Sequence, residues 1–221
     1  SILSSNNTID NNTCTLSGSY GINLNNTTSN TVTGNTCSNI NGSYAYAIYL
    51  ADNADNNTVS GNTADSNSMG IRVKAADNNT ITANTLSNNT VGIELATKPV
   101  GNVFYLNNFI NNGTQVNEGF NGNTENSWNS STVISYTYKG TQYNNQLGNY
   151  WSNYTGADID GDGIGDTPYT TIASYMDNYP LMGSWQDGVI TPPAVAVSGV
   201  SISEGNQELE IGQTIQLTRS E

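Results

Sequence analysis

The chain of 221 residues has no histidine, two cysteines and five basic residues. Without imidazole there is no Ser-His-Asp triad, no His-ligated zinc and no imidazole general base. Five bases against 18 acids, a net charge of −13, leave no electrostatic footprint for nucleic acid. Two cysteines are too few for a disulfide scaffold. No run approaches the roughly 18 consecutive apolar residues of a membrane span. Charged residues make up only 10%, against about 25% in a typical soluble protein. Ser1-Ile2-Leu3 opens in mid-pattern and the chain stops abruptly at Glu221. The segment therefore reads as a fragment or mature piece whose targeting signals lie elsewhere.

Asparagine and threonine take the place of charge, with 37 Asn and 27 Thr. Both are poor helix formers, and here they recur in register. Asn7-Thr8-Ile9-Asp10-Asn11-Asn12-Thr13-Cys14 aligns with the segments beginning at Asn30, Asn57, Asn79 and Asn102, at spacings of 23, 27, 22 and 23. A further strand closes each of the first four units, as in Gly21-Ile22-Asn23-Leu24 and Gly70-Ile71-Arg72-Val73. One such unit cannot bury its apolar side alone, but stacked units share a core. About 22 residues per turn suits an all-β fold, a right-handed single-stranded parallel β-helix with coils about 4.8 Å apart. The expected inward ladders are Ile9/Val32/Val59/Ile81/Phe104, Cys14/Cys37/Ala64/Leu86/Phe109 and Ile22/Ile48/Ile71/Ile93. Asn12/Asn35/Asn62/Asn84/Asn107 falls at a bend, where Asn tolerates unusual dihedrals and bonds to backbone.

Four segments follow from this pattern: coils over 1–118, a C-terminal cap over 119–187, a linker over 188–194 and a partial domain over 195–221. The cap draws on a sudden supply of aromatics, including Trp128, Tyr136, Tyr138, Tyr143 and Trp151. A solenoid end exposes edges and core that must be covered.

The segment Gly148-Asn149-Tyr150-Trp151-Ser152, continuing through Asp160-Gly161-Asp162-Gly163-Ile164-Gly165-Asp166 to Asp177-Asn178-Tyr179-Pro180-Leu181-Met182, is long and specific. It resembles the C-terminal end of NosD-like β-helix repeat proteins, a pattern found in surface proteins of methanogenic archaea. The resemblance spans about 1–187, with motif-grade detail in 148–182, and implies a secreted, cell-surface location. The family's copper role does not carry over, because this chain has no His, three Met and a cysteine pair expected in the core. Val197–Ser203 and Leu209–Thr218 resemble the opening strands of a bacterial (Big-type) Ig-like domain. Such a sandwich needs about seven strands, so it is incomplete within these residues.

Asp158, Asp160, Asp162 and Asp166 alternate with small residues around Gly163. Only the first three alternate strictly, and the four match positions 1, 3, 5 and 9 of a calcium loop, with the Ile164 carbonyl at position 7. Position 12 is Tyr169 instead of a bidentate Glu, so a full EF-hand is excluded. A structural Ca²⁺ that pins the cap is the expected cofactor, against the plainer alternative of an acidic solvated turn.

Elsewhere the candidates are weaker. Arg72, Lys74 and Glu94 stand together as catalytic candidates, but a rim ion pair of Arg72 with Glu94 is the simpler reading. Tyr44, Tyr46 and Tyr49 offer an exposed patch for stacking on sugars, or ordinary half-buried strand tyrosines. Cys14 and Cys37 share a slot in successive coils, which permits a disulfide or two neighbouring thiols. Asn41, Asn112, Asn129 and Asn153 lie in Asn-x-Ser/Thr acceptor sequences. The expected role is structural or adhesive, with an extracellular polysaccharide or further copies of the chain as partner. The alternative is a carbohydrate-active enzyme: a lyase, an epimerase or a disaggregatase-like hydrolase. A third reading is a filament subunit that assembles by strand donation through 195–221.

Overall fold

The computed structural model describes residues 1–119, 125–172, 175–185 and 190–192. Among them there is no helix, and three parallel sheets wrap into a solenoid of about five turns. The first sheet stacks Thr8–Asp10, Thr31–Thr33, Thr58–Ser60, Thr80–Thr82 and Val103–Tyr105. The second stacks Thr13–Thr15, Thr36–Ser38, Thr63–Asp65, Thr85–Ser87, Asn108–Ile110 and finally Tyr150–Trp151. The third, made of longer strands, stacks Tyr20–Asn25, Tyr46–Ala51, Met69–Lys74, Val91–Ala96 and Thr114–Glu118.

The register is the one the repeats dictate: Ile9 pairs with Val32, Val32 with Val59, Ile81 with Val59 and with Phe104. In each three-residue strand only the middle side chain can point inward, so a Thr-x-Thr strand spends its single inward position on an aliphatic. Val32, Val59, Ile81, Leu86, Ile71 and Phe104 are fully buried in one continuous core.

The corners are held by asparagine. Along the second corner Asn12, Asn35, Asn62, Asn84 and Asn107 each donate both backbone and side-chain amide to the Oδ1 of the next rung, at 2.9–3.1 Å. Parallel ladders run from Asn7 to Asn126 and from Asn67 to Asn112. Each buried amide is thus both donor and acceptor, which removes the penalty for burying it.

The solenoid continues past the point where the repeat fades. Asn107 bonds to Asn149, 42 residues later, and Tyr150–Trp151 extends the second sheet. Between them a hairpin, Ile134–Tyr138 with Thr141–Asn145, folds outward. It forms a second core with Leu106, Leu147, Ile164, Leu181 and Trp185. Ile190–Thr191, in the segment read from sequence as linker, pairs antiparallel with that hairpin, and Ile190 is buried. The open end of the main core is closed by rings: Trp128 stacks on Phe104 at 4.5 Å, Trp151 on Phe109 at 4.1 Å and Tyr169 on Trp151 at 4.4 Å. The partial Ig-like domain expected over 195–221 lies outside the described residues.

Candidate functional site

The acidic loop sits on the outward hairpin. Tyr136 donates its hydroxyl to the Asp162 carbonyl at 2.9 Å, and Tyr143 donates to the Gly161 carbonyl at 3.0 Å. Gly161 and Gly163 take positive φ, +74° and +92°, and a Cβ on Gly163 would press into the Tyr138 ring. Three tyrosines thus fix the loop backbone, and glycine is the residue that fits against them.

Within this frame, one carboxylate oxygen each from Asp158, Asp160 and Asp162 lies within 4.8 Å of the other two. Asp158 Oδ2 accepts the Gly163 amide at 3.2 Å, while its buried Oδ1 has no hydrogen-bond partner. Asp162 Oδ1 accepts the Ile164 amide at 2.7 Å. Burial, followed by the charges of Asp160 and Asp158, pushes the Asp162 carboxyl above its usual range against the help of the Ile164 amide. Three clustered carboxylates with an orphaned buried oxygen form a hard oxygen donor set with one charge-hungry centre. Asp166, expected as a fourth ligand, stands outside this close triad, and its Oδ2 accepts the Ile159 amide at 2.6 Å. The Ile164 backbone is bridged to Leu181, and its side chain is buried in the second core. Asn145, which bonds to the Asp162 carboxylate, had no local signal in the sequence, and Tyr136, Tyr138 and Tyr143 were legible as cap aromatics but not as supports of this loop.

Arg72, Lys74 and Glu94 occupy outer-face positions of the third sheet, on neighbouring strands. Arg72 Nε lies 2.8 Å from Glu94 Oε2, off the N–H axis, so the contact is an ion pair without a good hydrogen bond. The Arg72 guanidinium also donates to the Tyr46 hydroxyl at 2.5 Å and lies over the Tyr46 and Tyr49 rings. Lys74 pairs with Asp52 at 2.9 Å.

The exposed tyrosine patch is not formed. Tyr46 and Tyr49 are 1% and 8% exposed, packed between Tyr20 and Arg72, and of the three candidates Tyr44 alone is exposed, at 73%. The cause is lateral: side chains of adjacent coils lie 4.8 Å or so apart and cover one another.

Cys14 and Cys37 pair in register as free thiols, and burial pushes the Cys37 thiol up to about 12. Among the glycosylation candidates, Asn41 and Asn153 are exposed, and Asn129 is half-buried and donates to the Ser130 carbonyl. Asn112 is half-buried. Its Nδ2 is committed to Leu86 O and Gln115 Oε1, and its Oδ1 accepts from Asn89, so its amide belongs to the ladder.

A parallel β-solenoid closed by an aromatic and acidic cap is the class of protein these features define. Residues 2–156 match the model of the NosD family, described as periplasmic copper-binding protein, and the chain belongs to that family. A search of the curated proteins gave no match. No helix among the described residues is long and apolar enough to cross a membrane.

Copper does not fit the residues present. The two thiols line the core, and Cys37 holds its proton, whereas a soft metal takes thiolate. Met69 packs against Tyr46 and Tyr49, and Met182 against the second core. With no imidazole, the one cluster of ligating groups among the described residues is the carboxylate triad, which suits an oxygen-seeking cation instead.

Proposed function

We propose that this protein is a non-catalytic structural rod outside the cytoplasm, with an adhesive role toward polysaccharide and a cap pinned by Ca²⁺. The observation that carries this reading is the use to which the polar groups are put. The corner amides are consumed by ladders. On the sheet of longer strands Arg72 is held by Glu94 and Tyr46, and Lys74 by Asp52, so each of the three residues weighed as catalytic is engaged in an ion pair. Such a surface is built to hold shape and present hydroxyl and amide groups. The Asp158/Asp160/Asp162 cluster, with its unpartnered buried oxygen, supports Ca²⁺ as a clamp on the cap.

The test is incubation of the chain, with and without Ca²⁺, on neutral and uronate-containing polysaccharides, following both chain cleavage and retention of protein on the polymer. Retention without new reducing ends or unsaturated products is expected. Cleavage would favour the carbohydrate-active enzyme and direct attention to Arg72, Lys74 and Glu94. Loss of retention on every polymer would remove the adhesive half of the proposal.

A further inference from the structure

Where the last full coil meets the cap, a cavity of about 410 Å³ opens between the turn at Asn111–Gly113 and the chain at Ser152–Asn153. It lies within the roughly 300–1,000 Å³ of ordinary ligand sites, but such sites are mostly apolar. This one is lined by amides and hydroxyls, every lining residue is uncharged, and Tyr169 is its single aromatic ring.

The polar groups are organised. Gln115 is 8% exposed and ends the third asparagine ladder: Asn112 Nδ2 donates to Gln115 Oε1 at 2.9 Å. That bond fixes the carbonyl and turns the Gln115 amide toward Ser152 Oγ and Asn153 Oδ1, both at 3.3 Å. Both contacts lie just beyond the usual 2.7–3.2 Å range, so the buried donor is only weakly held. Asn153 Oδ1 is steadied by the Tyr169 hydroxyl at 3.0 Å. Ser152 Oγ accepts the Asn111 amide at 3.0 Å and keeps its own proton to donate. Tyr169 is the terminal ring of the Phe109–Trp151–Tyr169 stack and is therefore rigid.

We propose that this cavity binds a neutral sugar unit, a hexose or an N-acetylhexosamine, through the Gln115, Ser152 and Asn153 side chains beside the Tyr169 ring. Prepositioned amides and hydroxyls next to one aromatic surface match an array of hydroxyls on an apolar ring. A uronate or sugar phosphate is disfavoured, because no lining cation offsets its desolvation and the chain carries a charge of −13. The proposal rests on the glycan-holding reading above and gives it a place and a ligand class.

The test is calorimetric titration of the 221-residue chain, made in a host without N-glycosylation so that Asn153 stays bare. The probes are methyl glycosides of glucose, galactose and mannose, N-acetylglucosamine, maltose and cellobiose, with galacturonate and glucose 6-phosphate as charged controls. At least one neutral probe is expected to bind saturably at one site. Asn153→Ala removes an exposed rim group, and Tyr169→Phe keeps the ring stack but loses the hydroxyl. Each is expected to weaken that binding at least fivefold with the melting temperature unchanged. Equal affinity in both variants overturns the site, as does binding of the charged probes alone or of no probe. Retention on polymer is scored separately, so a failed cavity with retained polymer leaves the glycan-holding reading standing, and failure of both removes both.

Discussion

The backbone amide of Asn149 donates to Asp177 Oδ2 at 2.7 Å, and its side-chain amide reaches the same oxygen at 3.3 Å. This repeats the geometry by which Asn107 donates twice to Asn149 Oδ1. Asp177 therefore stands in the slot of the next ladder asparagine. Every rung below donates upward, and a carboxylate accepts without needing a further acceptor of its own. Trp151 Nε1 at 2.9 Å and the Tyr179 amide at 3.0 Å complete its shell, and a Cβ on Gly148 would overlap it. The ladder is capped by a buried acid.

That burial has a consequence in pH. Desolvation pushes the Asp177 carboxyl from 3.8 up to about 6, against the pull of the Trp151, Asn149 and Tyr179 donors. Between those values Asp177 holds its proton in the folded chain and not in the unfolded one, so its contribution to stability is fully present below pH 3.8 and is lost as pH rises through about 6. Two pH units correspond to about 3 kcal/mol. Other carboxylates titrate too, so the comparison is with Asp177→Asn. The difference in denaturation free energy between the two proteins should slope between pH 4 and 7 and be flat above. Parallel profiles would refute the assignment.

Position in the ladder decides what an acid costs. Asn84 Nδ2 donates to Asn107 Oδ1, Val59 O and Thr82 O, and its Oδ1 accepts twice from Asn62. Asn84→Asp would set two acceptors face to face in the interior and orphan the carbonyls, costing about 3 kcal/mol or more. Asp177→Asn loses one donor contact but relieves a buried charge, and should lie within about 1 kcal/mol of the parent at pH 7. Urea midpoints of the two variants test the contrast.

The coils were legible because a three-residue strand has one inward position, and Ile9, Val32, Val59 and Ile81 mark it. The later rungs were hidden by distance: Asn149 follows Asn107 by 42 residues and Asp177 follows Asn149 by 28, with a hairpin inserted between the first pair. The acid triad was visible in alternate Asp residues, whereas the bond from the Ile159 amide to Asp166 depends on the loop folding back and has no mark in the spacing. Exposure of Tyr46 and Tyr49 could not be read locally, since Tyr20 and Arg72 from neighbouring coils cover them.

One corner carries avoidable strain. Leu16, Asn39, Ser66, Asn88 and Asn111 all occupy the left-handed turn after the second sheet, with φ between 51° and 58°. Leucine is the misfit there, because its Cβ crowds the following carbonyl while Asn tolerates the region. Its side chain is 83% exposed, so little packing is lost on replacement. Leu16→Asn should stabilise by roughly 0.5–1 kcal/mol, a rise of about 1–4 °C in Tm by calorimetry. A fall in Tm would mean that the exposed leucine makes a contact the backbone argument ignores.

Calcium offers the sharpest test of the cap. Asp158, Asp160 and Asp162 repel one another without a cation, and the unpartnered buried Asp158 Oδ1 lacks any other source of compensation. A cation bound only by the folded cap adds RT ln(1 + [L]/Kd), about 2.7 kcal/mol at 100-fold over Kd. For a chain of this size that is roughly 5–10 °C in Tm. Asp158→Asn and Asp160→Asn should abolish the calcium-dependent rise, and each should melt in EDTA no lower than the parent, since it removes repulsion. Mg²⁺ should act more weakly, because it demands near-octahedral geometry and keeps its water. Copper should give no specific shift, because there is no imidazole and the two thiols pack with the core. A melting curve indifferent to Ca²⁺ and EDTA would return the loop to an acidic turn held by Tyr136 and Tyr143, and a copper-dependent rise would overturn the oxygen-donor assignment itself.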